Sequence, residues 1–331
     1  MARFILACGL IAGLAACDSS EPSPSATPPI QGQPQPGSQV SSAPGAQPPS
    51  TPKYPPAPFP KDAPAPAAAQ DKPPPTREEM FPRLQEFVVK PLEGEPVWPS
   101  PADEKEVARH GFIPFKGGYQ YERVDASGKV GSCGVVVDGR ILLDRGVVEL
   151  LGCGEGGKEY ESVLRLDADV QGLDLALSLC GLKRGPVPGR LGDPKIMQGD
   201  RVVVLLQWED EEKKTITHRA EDCVVNIQKK APMPRVGWTY VGAMLPVPDP
   251  AATTGKTYRV LAASGTRSLL TTYRDPSTLL DNPLFDAVDD SLYMANYMIL
   301  PTGGTKVRII LRAPDEAAKQ EIAKLEEELA K

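Results

Sequence analysis

Nineteen of the 37 prolines in this 331-residue chain fall between Asp18 and Met80, a stretch with almost no apolar side chains beyond alanine. Such a segment lacks the apolar surface needed to offset the entropy of ordering its backbone. Proline also fixes φ and removes amide donors, so residues 17–80 are expected to form a disordered tether rich in polyproline II. Folding then falls to about 250 residues, enough for one large core. A net charge of −6 and a pI near 5.2 give no basic footprint for nucleic acid. With no run of about 18 apolar residues, a multi-span membrane protein is excluded.

Ahead of the tether, Arg3 precedes the apolar or small run Phe4–Ala16. As a helix this run would span roughly 20 Å, short of the ~30 Å hydrocarbon core but suited to a signal peptide over residues 1–16. It ends in Leu14-Ala15-Ala16-Cys17, which resembles the lipobox of bacterial lipoproteins. The resemblance implies cleavage before Cys17 and acylation of its thiol and new amino group. Three acyl chains exceed the marginal grip of one, so a lipid-anchored protein of the cell envelope is expected, outside the cytoplasm. Asp18 resembles an inner-membrane retention signal, a lean toward that membrane that leaves the outer one open.

The remainder reads as α+β: a mainly antiparallel β-sheet domain over 81–313 and a C-terminal surface helix over 314–331. Residues 81–118, with Trp98, Phe112 and Phe115 among prolines, suggest an irregular extension. Alternation at Tyr119–Val124, the long β-branched run Arg201–Trp208 and further short segments at Thr215–Arg219, Thr257–Ala262, Leu269–Tyr273, Leu292–Leu300 and Lys306–Arg312 predict strands. Asp138-Gly139, between Val130–Val137 and Arg140–Asp144, predicts a hairpin turn. One helix is expected after Asp169, its Leu173, Leu175, Leu177, Leu179 and Leu182 making it apolar on nearly every side and so buried.

Two phosphate-binding patterns fail on context. Gly152-Cys-Gly-Glu-Gly-Gly157 matches a dinucleotide fingerprint, and Gly152 to Lys158 falls one residue short of a P-loop. Both need a helix directly after the glycines, whereas Glu159–Leu166 reads as a strand, so no nucleotide or other cofactor is expected. The cysteines left after Cys8 and Cys17, namely Cys133, Cys153, Cys180 and Cys223, lack C-x₂-C spacing, and no metal site is expected. Three disulfide pairings remain open among them, with Cys180 expected as a small core hydrophobe. A Cys nucleophile with His110 or His218 as base lacks a third orienting group.

Glu149-Leu-Leu-Gly-Cys153, Gly156-Gly-Lys-Glu-Tyr-Glu-Ser162 and Gly181-Leu-Lys-Arg-Gly185 resemble the YdjY-domain family. The resemblance continues through Trp238–Gly242, Leu280–Pro283, Asn296 and Leu300–Thr305, and covers roughly residues 119–313. It implies no particular activity; many members look exported or lipid-anchored. One branch looks ferredoxin-like through an inserted cysteine cluster that this chain lacks, so iron–sulfur chemistry is not carried over. Tyr160 stands where the family's loop usually has His, which puts a metal role there in doubt.

The residues that match the family pattern are Glu149, Cys153, Lys158, Glu159, Glu161, Asp281 and Asn296. In a strand, Glu159 and Glu161 would share one side and could share a proton or cation. The expectation is a membrane-tethered binding or assembly module, its partner another envelope protein, with Lys158 pairing a neighbouring acid. The alternative is an enzyme or redox protein using the Gly152–Glu161 loop: Cys153, Lys158, Glu159, Glu161 and Asp281 are its candidate residues.

Overall fold

The computed structural model describes residues 87–124, 130–248 and 255–330. The signal segment, Cys17, the proline-rich stretch and the Asp125–Lys129 turn lie outside the described residues.

Antiparallel pairing joins β1 (Ile113–Phe115), β2 (Gly118–Val124) and β3 (Val130–Ile141) in order. Next come β4 (Leu150–Gly154), β5 (Ser162–Leu166), β6 (Arg201–Glu209) and β7 (Thr215–Arg219). Short strands follow: β8 (Val224–Asn226), β9 (Ala231–Pro232), β10 (Trp238–Tyr240), β11 (Met244–Pro248) and β12 (Thr257–Leu261). The last are β13 (Ser268–Thr271), β14 (Leu280–Asp281), β15 (Tyr293–Ala295) and β16 (Lys306–Arg312).

These strands make the chain β-dominant, but the main sheet closes on itself. Its order β3-β16-β6-β10-β14-β13-β4-β5 returns to β3 through the β3–β5 ladder, giving an eight-stranded barrel. The ring is antiparallel except at β13–β14 and β4–β5. Closure removes the free edges an open sheet would present. Outside the ring, β15-β8-β9 form a small sheet and β11–β12 a separate hairpin.

Closure also explains the continuous apolar run of β6. Val202, Val204 and Leu206 pack with Val135, Val137, Ile309 and Leu311 in the principal core. The alternate residues Val203 and Leu205 face outward with Val136 and Ile310, covered by Trp98, Val107, Tyr119, Tyr121, Ala318 and Ile322. Strands buried on both faces read as unbroken apolar sequence.

The cover comes from both flanks of the barrel sequence. Residues 87–118 include α1 (Glu104–Arg109) and β1, so the extension is more regular than expected. Trp98 packs at a tilt against Tyr121 (4.1 Å between ring centroids), and its amide donates to Gln207 Oε1 (2.9 Å). The other half of the cover is a helix near the chain's end.

Helix α2 (Val170–Leu179) starts where expected, the Asp169 carboxylate accepting from the Gly172 amide (2.7 Å). It buries Val170, Leu173, Ala176 and Leu177 in the principal core. Leu175 and Leu179, expected to widen the buried face, are 59% and 63% exposed. Each lies two positions from a core leucine, about 200° around the helix, so it projects away. After α3 (Ala263–Thr266), α4 (Glu316–Leu329) begins at the N-cap Asp315, which accepts from the Ala318 amide (2.9 Å). α4 docks through Ala318 and Ile322.

The expected hairpin at Asp138-Gly139 does not form: β3 runs straight through it. Gly139 lies where β3 pairs with β5, and a β carbon there would collide with the Arg165 carbonyl. Glycine serves close strand approach here, not a turn. The long strand expected over Leu292–Leu300 is likewise cut to β15. Asn296 is buried, its amide donating to the Asp222 carbonyl (2.8 Å) and its Oδ1 accepting from the Met298 amide (3.3 Å), and the chain turns there.

Candidate functional site

The glycine-rich loop returns the chain from the end of β4 to the start of β5, which pairs with β4 in parallel. Parallel neighbours normally need a crossover of a dozen or more residues; here Glu155–Glu161 suffices. A loop this tight must lie close on the barrel: a β carbon on Gly157 would stand 2.8 Å from Arg267 Cβ and 3.1 Å from Cys153 Cβ. No long helix follows the glycines. Glu159–Glu161 forms one 3₁₀ turn, and β5 begins at Ser162.

That turn corrects the expected strand geometry and separates the two carboxylates. Glu161 joins Glu149 on Lys158, whose Nζ lies 3.1 Å and 2.5 Å from them. Burial opposes the ammonium, but hydrogen bonds to Glu149 and Glu161 outweigh it and raise the Lys158 pKa above its ordinary value. Glu159 instead accepts from the Gly156 amide (3.0 Å) and lies 3.8 Å from Arg165. Arg165 also reaches Glu155 (3.6 Å) and Asp167 (2.8 Å).

Cys153 lies under this loop as a free, fully buried thiol near the Leu164 carbonyl (3.7 Å). Burial pushes its pKa up, against a hydrogen bond from Ser162, so the thiolate form is disfavoured. Cys223 is also free and buried, its sulfur 3.8 Å from the Arg219 carbonyl, and its pKa is raised by burial. The other two cysteines pair. Cys133 in β3 and Cys180 at the end of α2 form a disulfide (Cα–Cα 5.2 Å) that ties helix to barrel. Cys180 is thus a crosslink, not the core hydrophobe expected.

Asp281 belongs to a different, fully buried polar knot. Its carboxylate accepts from Thr271 Oγ1 (2.7 Å) and faces Arg274 Nε (3.2 Å). The Arg274 guanidinium also donates to the carbonyls of Asp193, Lys195, Asn282 and Leu284. Burial pushes the Asp281 carboxyl up to about 6, against the pull of Thr271 and Arg274. The knot sits at the two-residue strand β14, where side chains fasten loops that the ladder cannot.

Comparison with protein families, with curated proteins and with solved structures finds no match. What the loop can do must therefore be read from its chemistry. Each of its acids faces a cation, Cys153 is shielded as a thiol, and Asp281 is committed to Arg274. Neither histidine supplies a base for a thiol: His110 bonds Glu106 and stacks on Phe112, while His218 stacks on Trp208 beside Asp222. Among the described residues, no cluster of three or more His, Cys, Asp or Glu is placed to hold a metal ion.

The sequence reading missed a cleft of about 600 Å³ between the extension and the outer barrel wall, lined by Ser100, Asp138, Arg140, Glu209, Lys306 and Arg308. The signal was present in β16, where Lys306, Arg308, Ile310 and Arg312 alternate onto one face.

Proposed function

We propose that this chain is a lipid-anchored envelope protein related to the YdjY-domain family, a β-dominant binding or assembly module held at a membrane surface by a proline-rich tether. The observation that carries the reading is Leu14-Ala15-Ala16-Cys17, followed at once by that tether composition. The Cys133–Cys180 disulfide supports it, because such crosslinks persist in oxidising compartments outside the cytoplasm. A binding role over catalysis is supported by the loop chemistry: Glu149 and Glu161 are spent on Lys158, and Cys153 is shielded from solvent. Inner-membrane placement is the location Asp18 favours.

The test is metabolic labelling with an alkyne-tagged fatty acid, followed by membrane fractionation and intact-mass measurement. Wild type should incorporate label and sediment with membranes, and Cys17→Ala should do neither. Recovery of unlabelled wild type with residues 1–16 still attached would overturn the reading.

A further inference from the structure

We propose that the cleft between residues 99–102 and the outer wall of the barrel binds a ligand carboxylate through Arg308, with an amino, amide or hydroxyl donor on the neighbouring carbon held by Asp138.

The outer face of three adjacent strands forms the floor. In the registers of β16 with β3 and β6, Arg308 lies opposite both Asp138 and Gln207. One step along, Lys306 lies opposite Arg140. The wall is the extension, fixed by Gln207, which donates to the Pro96 carbonyl (2.9 Å) and accepts from the Trp98 amide. Tyr119 donates to the Pro99 carbonyl (3.0 Å) and helps to fix the same wall.

Within this frame the charges are unequally satisfied. Arg140 is engaged with Asp167 (3.2 Å). Asp138 accepts from Ser100 Oγ (2.6 Å) rather than from the arginine across the ladder. Arg308 is left over: its Nε is buried without an acceptor, and among the described residues its guanidinium enters no ion pair. An arginine that lines a cleft without an acid partner can take one from solution. Gln207, the other neighbour in register, is already committed to Pro96, Trp98 and Thr217.

The chemistry of the missing partner follows from the fork and its surroundings. A guanidinium presents parallel N–H groups that match a planar carboxylate. The cleft's acids, Asp138, Asp167 and Glu209, balance its cations, Arg140, Lys306 and Arg308, so it carries no excess positive charge to hold a doubly charged phosphate, which favours a single negative charge. Asp138 sits across the ladder from Arg308, where it can accept from a donor next to that carboxylate. A free amino or hydroxy acid and the carboxyl end of a peptide share this chemistry.

Calorimetric titration of the full chain with glycine, glycolate, acetate and trialanine, the peptide with a free or an amidated end, tests the proposal. Glycine, glycolate or free trialanine should bind saturably, with acetate and the amidated peptide at least about tenfold weaker. A preference for trialanine assigns a peptide end; a preference for glycine or glycolate assigns a free small acid. Arg308→Gln should abolish binding, and Arg308→Lys, which keeps charge but loses the fork, should weaken it about tenfold, both with thermal unfolding unchanged. Asp138→Ala, which has no acceptor, should remove the advantage over acetate. Absence of saturable heat from wild type up to about 10 mM of every probe, or equal binding by the folded Arg308→Gln variant, would overturn the proposal.

Discussion

Gly139 leaves no room for a side chain beside the Arg165 carbonyl across the β3–β5 ladder, at the seam where the sheet returns to its first barrel strand. A methyl group there overlaps backbone, which cannot swing aside. Gly139→Ala should therefore cost about 1–3 kcal/mol, read as a fall in urea midpoint. An unchanged midpoint would mean that the seam is looser than described.

Helix α2 offers a paired test, because Leu177 is fully buried and Leu179, two residues on, is mostly exposed. Leu177→Ala should lose about 2–5 kcal/mol. Leu179→Ala should stay within about 0.5 kcal/mol of wild type. Equal losses at both positions would show that Leu179 is covered in the working protein.

The disulfide joins residues 47 apart, and in the chain-entropy picture a loop of that size contributes about 4 kcal/mol. Cys133→Ala with Cys180→Ala should lower unfolding stability by that order, with the loss absent when both proteins are compared under reductant. In native wild type a maleimide reagent should modify neither Cys153 nor Cys223, since both are buried. Mass spectrometry before and after unfolding counts the labels.

The Asp281 carboxyl, pushed up to about 6 from 3.8 mainly by burial, gives a pH dependence of definite sign. Between these values the folded chain holds a proton that the unfolded chain has released, so this group's contribution to stability falls as pH rises. Asp281→Asn cannot titrate. From pH 4 to pH 7 wild type should lose about 2 kcal/mol relative to that variant, measured by urea unfolding at each pH. Parallel stability profiles for the two proteins would contradict the raised pKa.

Local periodicity carried much of the fold, and contacts between distant residues decided the rest. Strands β2, β6, β7 and β16 and the start of α2 were legible because alternation, β-branched runs and an N-cap are local signals. Asp138-Gly139 misled because the reason for its glycine is Arg165, on another strand. The partner of Cys180 was not legible either, since spacing alone leaves several pairings open. At the loop, Lys158 pairing was expected, but the separation of Glu159 from Glu161 depends on a single 3₁₀ turn that mimics a strand in sequence. The Arg308 cleft needs both strand alternation and the path of the extension, which proline-rich sequence does not reveal.

The extension that covers the outer wall also has a mechanical meaning. A pull applied at Phe87 would reach its fastenings in turn: Asn296 on the Phe87 carbonyl, then the Leu92 amide on the Thr217 carbonyl, then Trp98 on Gln207. Attachments met one after another yield like a zip rather than together in shear. Residues 87–98 would then peel away under tension as a sacrificial strap, while the ring of strands behind them keeps its shape.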